Sequence, residues 1–378
     1  MSQSKISAYL QKQQNNVEFS EWFVSFEELY NKRLWHQLTV KLLDFVQLPN
    51  ANNFNLLELY ENFLSDFETK INLLSLVEIV VFIIKTIKDF EKCLQFIQKI
   101  KEKVKSNQDA FILCQILIGQ LKLANNDLKV NSFLGVKEIL SEIEPVIDNQ
   151  TGITPVHGRY FQLSSNYYQV IGNHCKYYRG TLRYLGCLDY EKESKEDLYA
   201  KAFALALAAL LGESIFNFGE LLQHPIINHL KQKDQWLIDL LEAFNSGDLQ
   251  KFSDLRPTWS AQPDLASHEI QLRQKISLLS LMELTFKSPN GILTFDEIAA
   301  KTFISSNVVE LLVMKALSLN LVKGEIDEVE KKVNLNWVQP RVLDKQQINI
   351  LKLKLEDWSK NIRKVENMLE SNAQEIIG

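Results

Sequence analysis

A chain of 378 residues is long enough for two or three domains with substantial cores, and 46% hydrophobic with 24% charged residues are the proportions of an ordinary soluble protein. A net charge of −5 argues against general affinity for polyanions. The longest apolar runs, Ile79 to Ile84 and Ala202 to Leu211, fall well short of the roughly 20 residues that cross a bilayer, and Met1-Ser2-Gln3-Ser4-Lys5 has no apolar signal core, so the chain reads as neither membrane-spanning nor secreted.

The first half is patterned as helical hairpins. Glu21 to Tyr30, Leu34 to Val46, Phe54 to Phe67, Leu73 to Ile87, Phe90 to Val104, Ala110 to Leu123 and Ser132 to Ile143 each carry apolar residues three and four apart. The breaks fall at Asn31-Lys32-Arg33, at Pro49-Asn50 and before Pro145. Strand-like alternation is almost absent, and the pattern predicts stacked antiparallel pairs in a right-handed solenoid, with no strict repeat motif. Asp148 to Pro155 reads as a loop, Tyr160 to Leu185 as a Tyr-rich helix pair, and Asp189 to Asp197 as a charged, solvated segment. Ala200 to Leu211 and Gln235 to Phe244 are further helices; Gly247 then supplies a C-cap and Asp248 an N-cap for a helix from Leu249 to Leu255, stopped at Pro257. Ile270 to Phe286 is a long amphipathic helix.

From Ile292 to Pro340 the period changes twice, and the pattern is that of a winged helix. Leu293-Thr294-Phe295 makes a short strand, and Thr294 with Glu297 has capping-box spacing, which starts a helix at Asp296. After Ile304-Ser305-Ser306, Asn307 is placed to cap a second helix whose face is Val309, Leu312, Val313, Ala316 and Leu319. Asn320 ends it in a left-handed turn. Two strands follow, Leu321 to Ile326 and Val333 to Val338, joined by an acidic tip. Five lysines against seven carboxylates in this region give no basic face, so a protein-binding wing is expected and not nucleic-acid readout.

Four sets of residues resemble the PCI-domain subunits of the 26S proteasome lid: Phe216-Asn217-Phe218-Gly219-Glu220-Leu221-Leu222; Gln235 to Asp239 with Ala243-Phe244-Asn245-Ser246-Gly247; Glu310 to Leu317 through Leu321-Val322-Lys323-Gly324; and Trp337-Val338-Gln339-Pro340-Arg341-Val342-Leu343-Asp344. The resemblance covers most of the second half and, more loosely, the helical first half. It implies a mainly α fold: an N-terminal helical-repeat arm over residues 1–170, a PCI domain over 171–340 (helical part 171–270, winged helix 271–340) and a C-terminal bundling helix over 341–378. It further implies a non-catalytic scaffold, in the cytoplasm and nucleus, within the particle that feeds ubiquitinated substrates to the protease core. In that family PCI domains pair through their winged-helix strands and C-terminal helices gather in a bundle; the arm is expected to reach toward a ubiquitin receptor. The rival reading is a PCI subunit of another assembly, a signalosome or a translation-initiation complex, the second with an RNA contact.

No catalytic constellation is legible. His36, His157, His174, His224, His229 and His268 form neither His-Glu-x-x-His nor His-x-His, which also separates the chain from the metalloprotease subunit of the same lid. There is no Gly-x-Gly or Gly-Lys-Ser/Thr phosphate loop, and Gly212-Glu213-Ser214 lacks the second Gly of a nucleophile elbow. Cys93, Cys114, Cys175 and Cys187 stand far apart and read as small buried apolar residues in a reducing compartment. No metal, cofactor, nucleic acid or membrane partner is expected.

The expected interaction residues are therefore Leu321, Val322, Lys323, Val333, Leu335 and Trp337 on the wing, and the heptad seam Ile348, Leu351, Leu355, Trp358, Ile362, Val365 and Leu369 on the last helix.

Overall fold

Apolar residues at helical spacing dominate the chain, and the computed structural model is accordingly almost all helix, with a single three-stranded sheet among the described residues. Those residues are 2–14, 19–48, 54–87, 89–124, 130–150, 152–190, 193–231, 233–288, 290–343 and 345–377. The chain divides into two compact units: residues 1–172 with 179–188, and residues 173–178 with 189–378.

The first unit contains α1 (Ser2–Gln14), α2 (Ser20–Asn31), α3 (Trp35–Gln47), α4 (Leu56–Leu59), a π-helical turn (Tyr60–Leu64) and α5 (Ser65–Phe67). It continues through α6 (Leu73–Thr86), α7 (Phe90–Lys103), α8 (Gln108–Ala124), α9 (Val130–Asp148) and α10 (Pro155–Ile171); α11 (His174–Gly186) belongs partly to each unit. Neighbours in sequence pack on one another: α1 on α2, α2 on α3, α6 and α7 on α8, and α8 on both α9 and α10. An aromatic cluster fills the early repeats, with ring centroids 5.7 Å apart for Phe26 and Phe45 and 5.1 Å for Phe63 and Phe67, mostly edge to face.

Several boundaries differ from the sequence reading, three of them between Ile143 and Asp197. Pro145 lies inside α9 and does not end it, because Ile143 and Ile147 on either side are both buried and hold the turn helical despite one missing N–H. Pro155 starts α10, five residues before Tyr160: Thr154 caps it, and the His157 Nδ1 accepts the Thr154 N–H at 3.1 Å. Ser194 caps α12 (Lys195–Leu211) by accepting the Asp197 N–H at 3.1 Å, so part of the segment expected to be solvated is a first helical turn.

The second unit continues with α13 (Gly219–Gln223), α14 (Gln235–Ser246) and α15 (Leu249–Asp254). Gly247, at φ +64°, and Asp248, which accepts from Gln250 N and Lys251 N, make the α14–α15 corner that was read from sequence. Pro257 does not stop the chain; it sits in the first turn of α16 (Arg256–Trp259), and Pro263 likewise opens α17 (Pro263–Ser267). Then come α18 (Glu269–Lys287), β1 (Ile292–Thr294), α19 (Phe295–Thr302), α20 (Ser306–Ser318), β2 (Val322–Asp327), β3 (Lys332–Val338) and α21 (Lys345–Ile377). The predicted Thr294–Glu297 capping box is present, with bonds of 2.9 and 3.2 Å, and Asn320 takes φ +53°. The N-cap of α20 is Ser305 and not Asn307.

Candidate assembly surfaces

From Lys275 to Glu283 every residue of α18 is buried, so the charges it carries there must find partners inside. Lys275 sends its ammonium to the C-terminal end of α12, donating to the carbonyls of Ala209 (2.7 Å), Leu210 (3.0 Å) and Gly212 (2.6 Å), with the Phe218 ring 5.1 Å away. A cation there closes carbonyls that the helix end leaves open and faces the negative end of its dipole. Burial pushes its pKa down from 10.5 to about 7. Eight residues on, Glu283 accepts from Arg341 at 2.8 Å and from Gln347 at 3.0 Å; the Arg341 and Glu283 side chains are 6% and 8% exposed.

Arg341 belongs to a strap, Pro340 to Leu343, that joins the winged helix to α21. Its other nitrogen donates to the Asn245 carbonyl at 3.2 Å, the Val342 N–H donates to Asn217 Oδ1 at 3.1 Å, and Gln223 donates to the Leu343 carbonyl at 3.4 Å. A Cβ on Gly219 would stand 2.6 Å from the Val342 oxygen, so that position has no room for one. The strap thus brings together residues from three of the four resembling segments, more than a hundred positions apart in sequence for Asn217 and Val342. Sequence reading picked out these segments but assigned Glu283, Gln347 and the strap no role, because a carboxylate on an amphipathic helix reads as solvated until its neighbours are known.

On the wing the strand order is β1-β3-β2, both pairings antiparallel. This corrects the expectation that either wing strand serves as an open edge: β3 is central, and of the two wing strands β2 is the one at an edge. Leu321, Val322, Val333 and Leu335 are buried in the domain's own core, so their side chains are closed to a partner. Lys323 and Trp337 face out, directly opposite each other, with the ammonium 4.8 Å from the indole centroid. A bulge follows Lys323, and a Cβ on Gly324 would lie 2.0 Å from the Asn334 oxygen.

The 33 residues of α21 span about 50 Å. Its start is fastened by Gln347 and by Lys354, whose ammonium donates to the carbonyls of Phe286 (2.7 Å), in the last turn of α18, and of Ser288 (3.3 Å), its C-cap. Beyond that anchor residues 355–370 are all exposed. The seven seam residues, Ile348, Leu351, Leu355, Trp358, Ile362, Val365 and Leu369, are 39% to 64% exposed, so the unit's own core does not take them up.

Among the described residues no three His, Cys, Asp or Glu side chains gather as a metal-ligand set, and no helix is long and apolar enough to cross a membrane. His157 and His224 act as helix caps, the latter accepting the Ile226 N–H at 3.3 Å. Cys93 and Cys114 are buried as expected, the latter with its thiol pushed up to about 12 by burial; Cys175 and Cys187 are only half-buried, and all four are free.

Residues 22–241 match the family described as PSD13 N-terminal repeats, and residues 249–337 match the PCI domain. The chain is 35% identical to the 26S proteasome non-ATPase regulatory subunit 13 homolog B of Arabidopsis thaliana, over 98% of each protein. It is 33% identical to the 26S proteasome regulatory subunit RPN9 of Saccharomyces cerevisiae, over 94% of this chain and 93% of that one. Eukaryotic translation initiation factor 3 subunit M of Nematostella vectensis is 31% identical, but over only 36% of this chain and 35% of its own. Identity is nearly equal in the three cases; the extent of the match separates them.

Proposed function

Because the chain belongs to the family of the 26S proteasome non-ATPase regulatory subunit 13, we propose that it is a non-catalytic structural subunit of the regulatory-particle lid, serving ATP-dependent degradation of ubiquitinated proteins in cytoplasm and nucleus. Two attachments to neighbouring PCI subunits support this reading: the open edge of β2, which offers unpaired backbone groups to another strand, and the seam of α21. The N-terminal arm is left to a ubiquitin receptor. The observation that carries the proposal is the seam: seven apolar side chains at heptad spacing on a helix fastened near its start and exposed from residue 355 to 370. A helix lying on its own globular core has a wider apolar stripe and hides it. Burying such side chains against partner helices is worth on the order of 2 kcal/mol each before entropy costs.

Replacing Leu355 and Ile362 with Asp and Trp358 with Ser tests it. The expected result is lost co-sedimentation with the other lid subunits at an unchanged melting temperature. Full incorporation of the triple variant would sink the proposal, and so would cleavage of ubiquitin chains by the purified subunit alone.

A further inference from the structure

The helix that a DNA-binding winged helix lays on its target, here α20, turns apolar residues outward. Val308, Leu311 and Leu312, with Ile304 ahead of them, face Ile270 and Leu278 of α18 across an open groove of about 990 Å³. Leu311 is 63% and Ile270 76% exposed, so this is uncovered apolar surface and not core. The rim is cationic: Arg256 and Arg273 stand on the α16 and α18 side and Lys315 on α20. One lining carboxylate, Glu269, lies 3.0 Å from Arg256 and 3.9 Å from Arg273, which leaves three cations to one anion around the groove. Glu310 lies on the opposite side of α20 at 100° per residue. In a chain of net charge −5 the groove is a local positive field around an apolar floor.

We propose that this groove receives an amphipathic helix of a partner protein, its apolar face on Ile270, Leu311 and Leu312 and its carboxylates toward Arg256, Arg273 and Lys315. Both walls are helices, α18 and α20, whose backbone groups are bonded internally. A guest therefore gains no main-chain pairing and has to satisfy its own, which a helix does and a strand does not. The charges select an acidic guest, and an exposed leucine at the centre of the face disfavours a phosphate backbone. The site is distinct from the β2 edge and the α21 seam and does not rest on the lid reading.

The test uses the full-length chain and two synthetic helical peptides with one Leu face, flanked by Glu in one and by Lys in the other. The Glu peptide should bind roughly tenfold tighter, with the difference shrinking in high salt. Leu311→Asp, at an exposed position that leaves the melt unchanged, should abolish binding, and Arg273→Glu should reverse the preference. Equal or tighter binding of the Lys peptide, binding that survives Leu311→Asp, binding of neither peptide, or competition by a duplex oligonucleotide would each overturn the proposal.

Discussion

Two helices of the same unit invert the usual rule. In α18 the structure buries Lys275, Glu283, Ser277 and Ser280, while in α21 it leaves Leu355, Trp358 and Ile362 in water. What differs is not composition but position. From Lys275 to Glu283, α18 is enclosed by its neighbours, among them α12, α14, α15, α19, α20 and β3; Lys275 closes the end of α12, Glu283 holds Arg341, and Ser277 bonds its own helix at the Arg273 carbonyl. From Leu355 to Glu370, α21 is exposed throughout. A buried charge here marks a junction, and the exposed leucines mark the surface proposed for assembly.

The largest break in that contrast should come from Lys275→Met. It strands carbonyls at the end of α12, and we expect a loss of roughly 3–5 kcal/mol in chemical denaturation. The same lysine sets a pH signature. Its folded pKa, about 7, lies below its ordinary 10.5, so the unfolded chain binds more protons between those values. Stability should therefore climb as pH rises through that window and fall again on return toward 7. Lys275→Met should flatten the slope; an identical slope in the variant would assign it to other groups.

Gly247→Ala comes next. A Cβ there would lie 2.6 Å from the Ser280 Cα on α18, at a backbone φ of +64°. Left-handed strain and overpacking together should cost roughly 2–4 kcal/mol, read as a lowered denaturation midpoint at constant slope. Lys354→Met sharpens the comparison from the other side, since this is where α21 touches α18. Losing a cation from the end of that helix should cost about 1 kcal/mol and speed amide exchange in the first turns of α21. Smallest of all, Leu355→Ser should move the stability of the isolated chain by less than about 0.5 kcal/mol. A drop of several times that would place the seam inside the chain's own core.

Features set by a few adjacent residues were legible in the sequence: the Thr294–Glu297 box, the Gly247–Asp248 corner and the left-handed Asn320. The architecture of helical repeats followed by a PCI domain with a winged helix was legible as well, because hydrophobic period and family motifs pointed the same way. Prolines misled, since one residue type both ends helices and begins them; Pro155 and Pro257 begin them. Helix α1 escaped notice because only Ile6, Tyr9 and Leu10 of it are known to be buried, too short a stripe to stand out. The central place of β3 and the Arg341–Glu283 junction lay beyond pattern altogether. They depend on which strand and which helix meet, and alternation and charge are silent on that.

The placement of Trp358 has an optical consequence. Trp259 is sealed in the unit, its ring stacked 5.1 Å from Phe252 and its N–H given to the Phe252 carbonyl at 3.2 Å, whereas Trp358 is 64% exposed on the seam. A chain that keeps Trp358 as its only indole should emit at long wavelength when alone and shift to the blue when neighbouring helices close over it. A residue of the seam also lights up its occupancy, so assembly can be timed in a stopped-flow fluorimeter without attaching a dye.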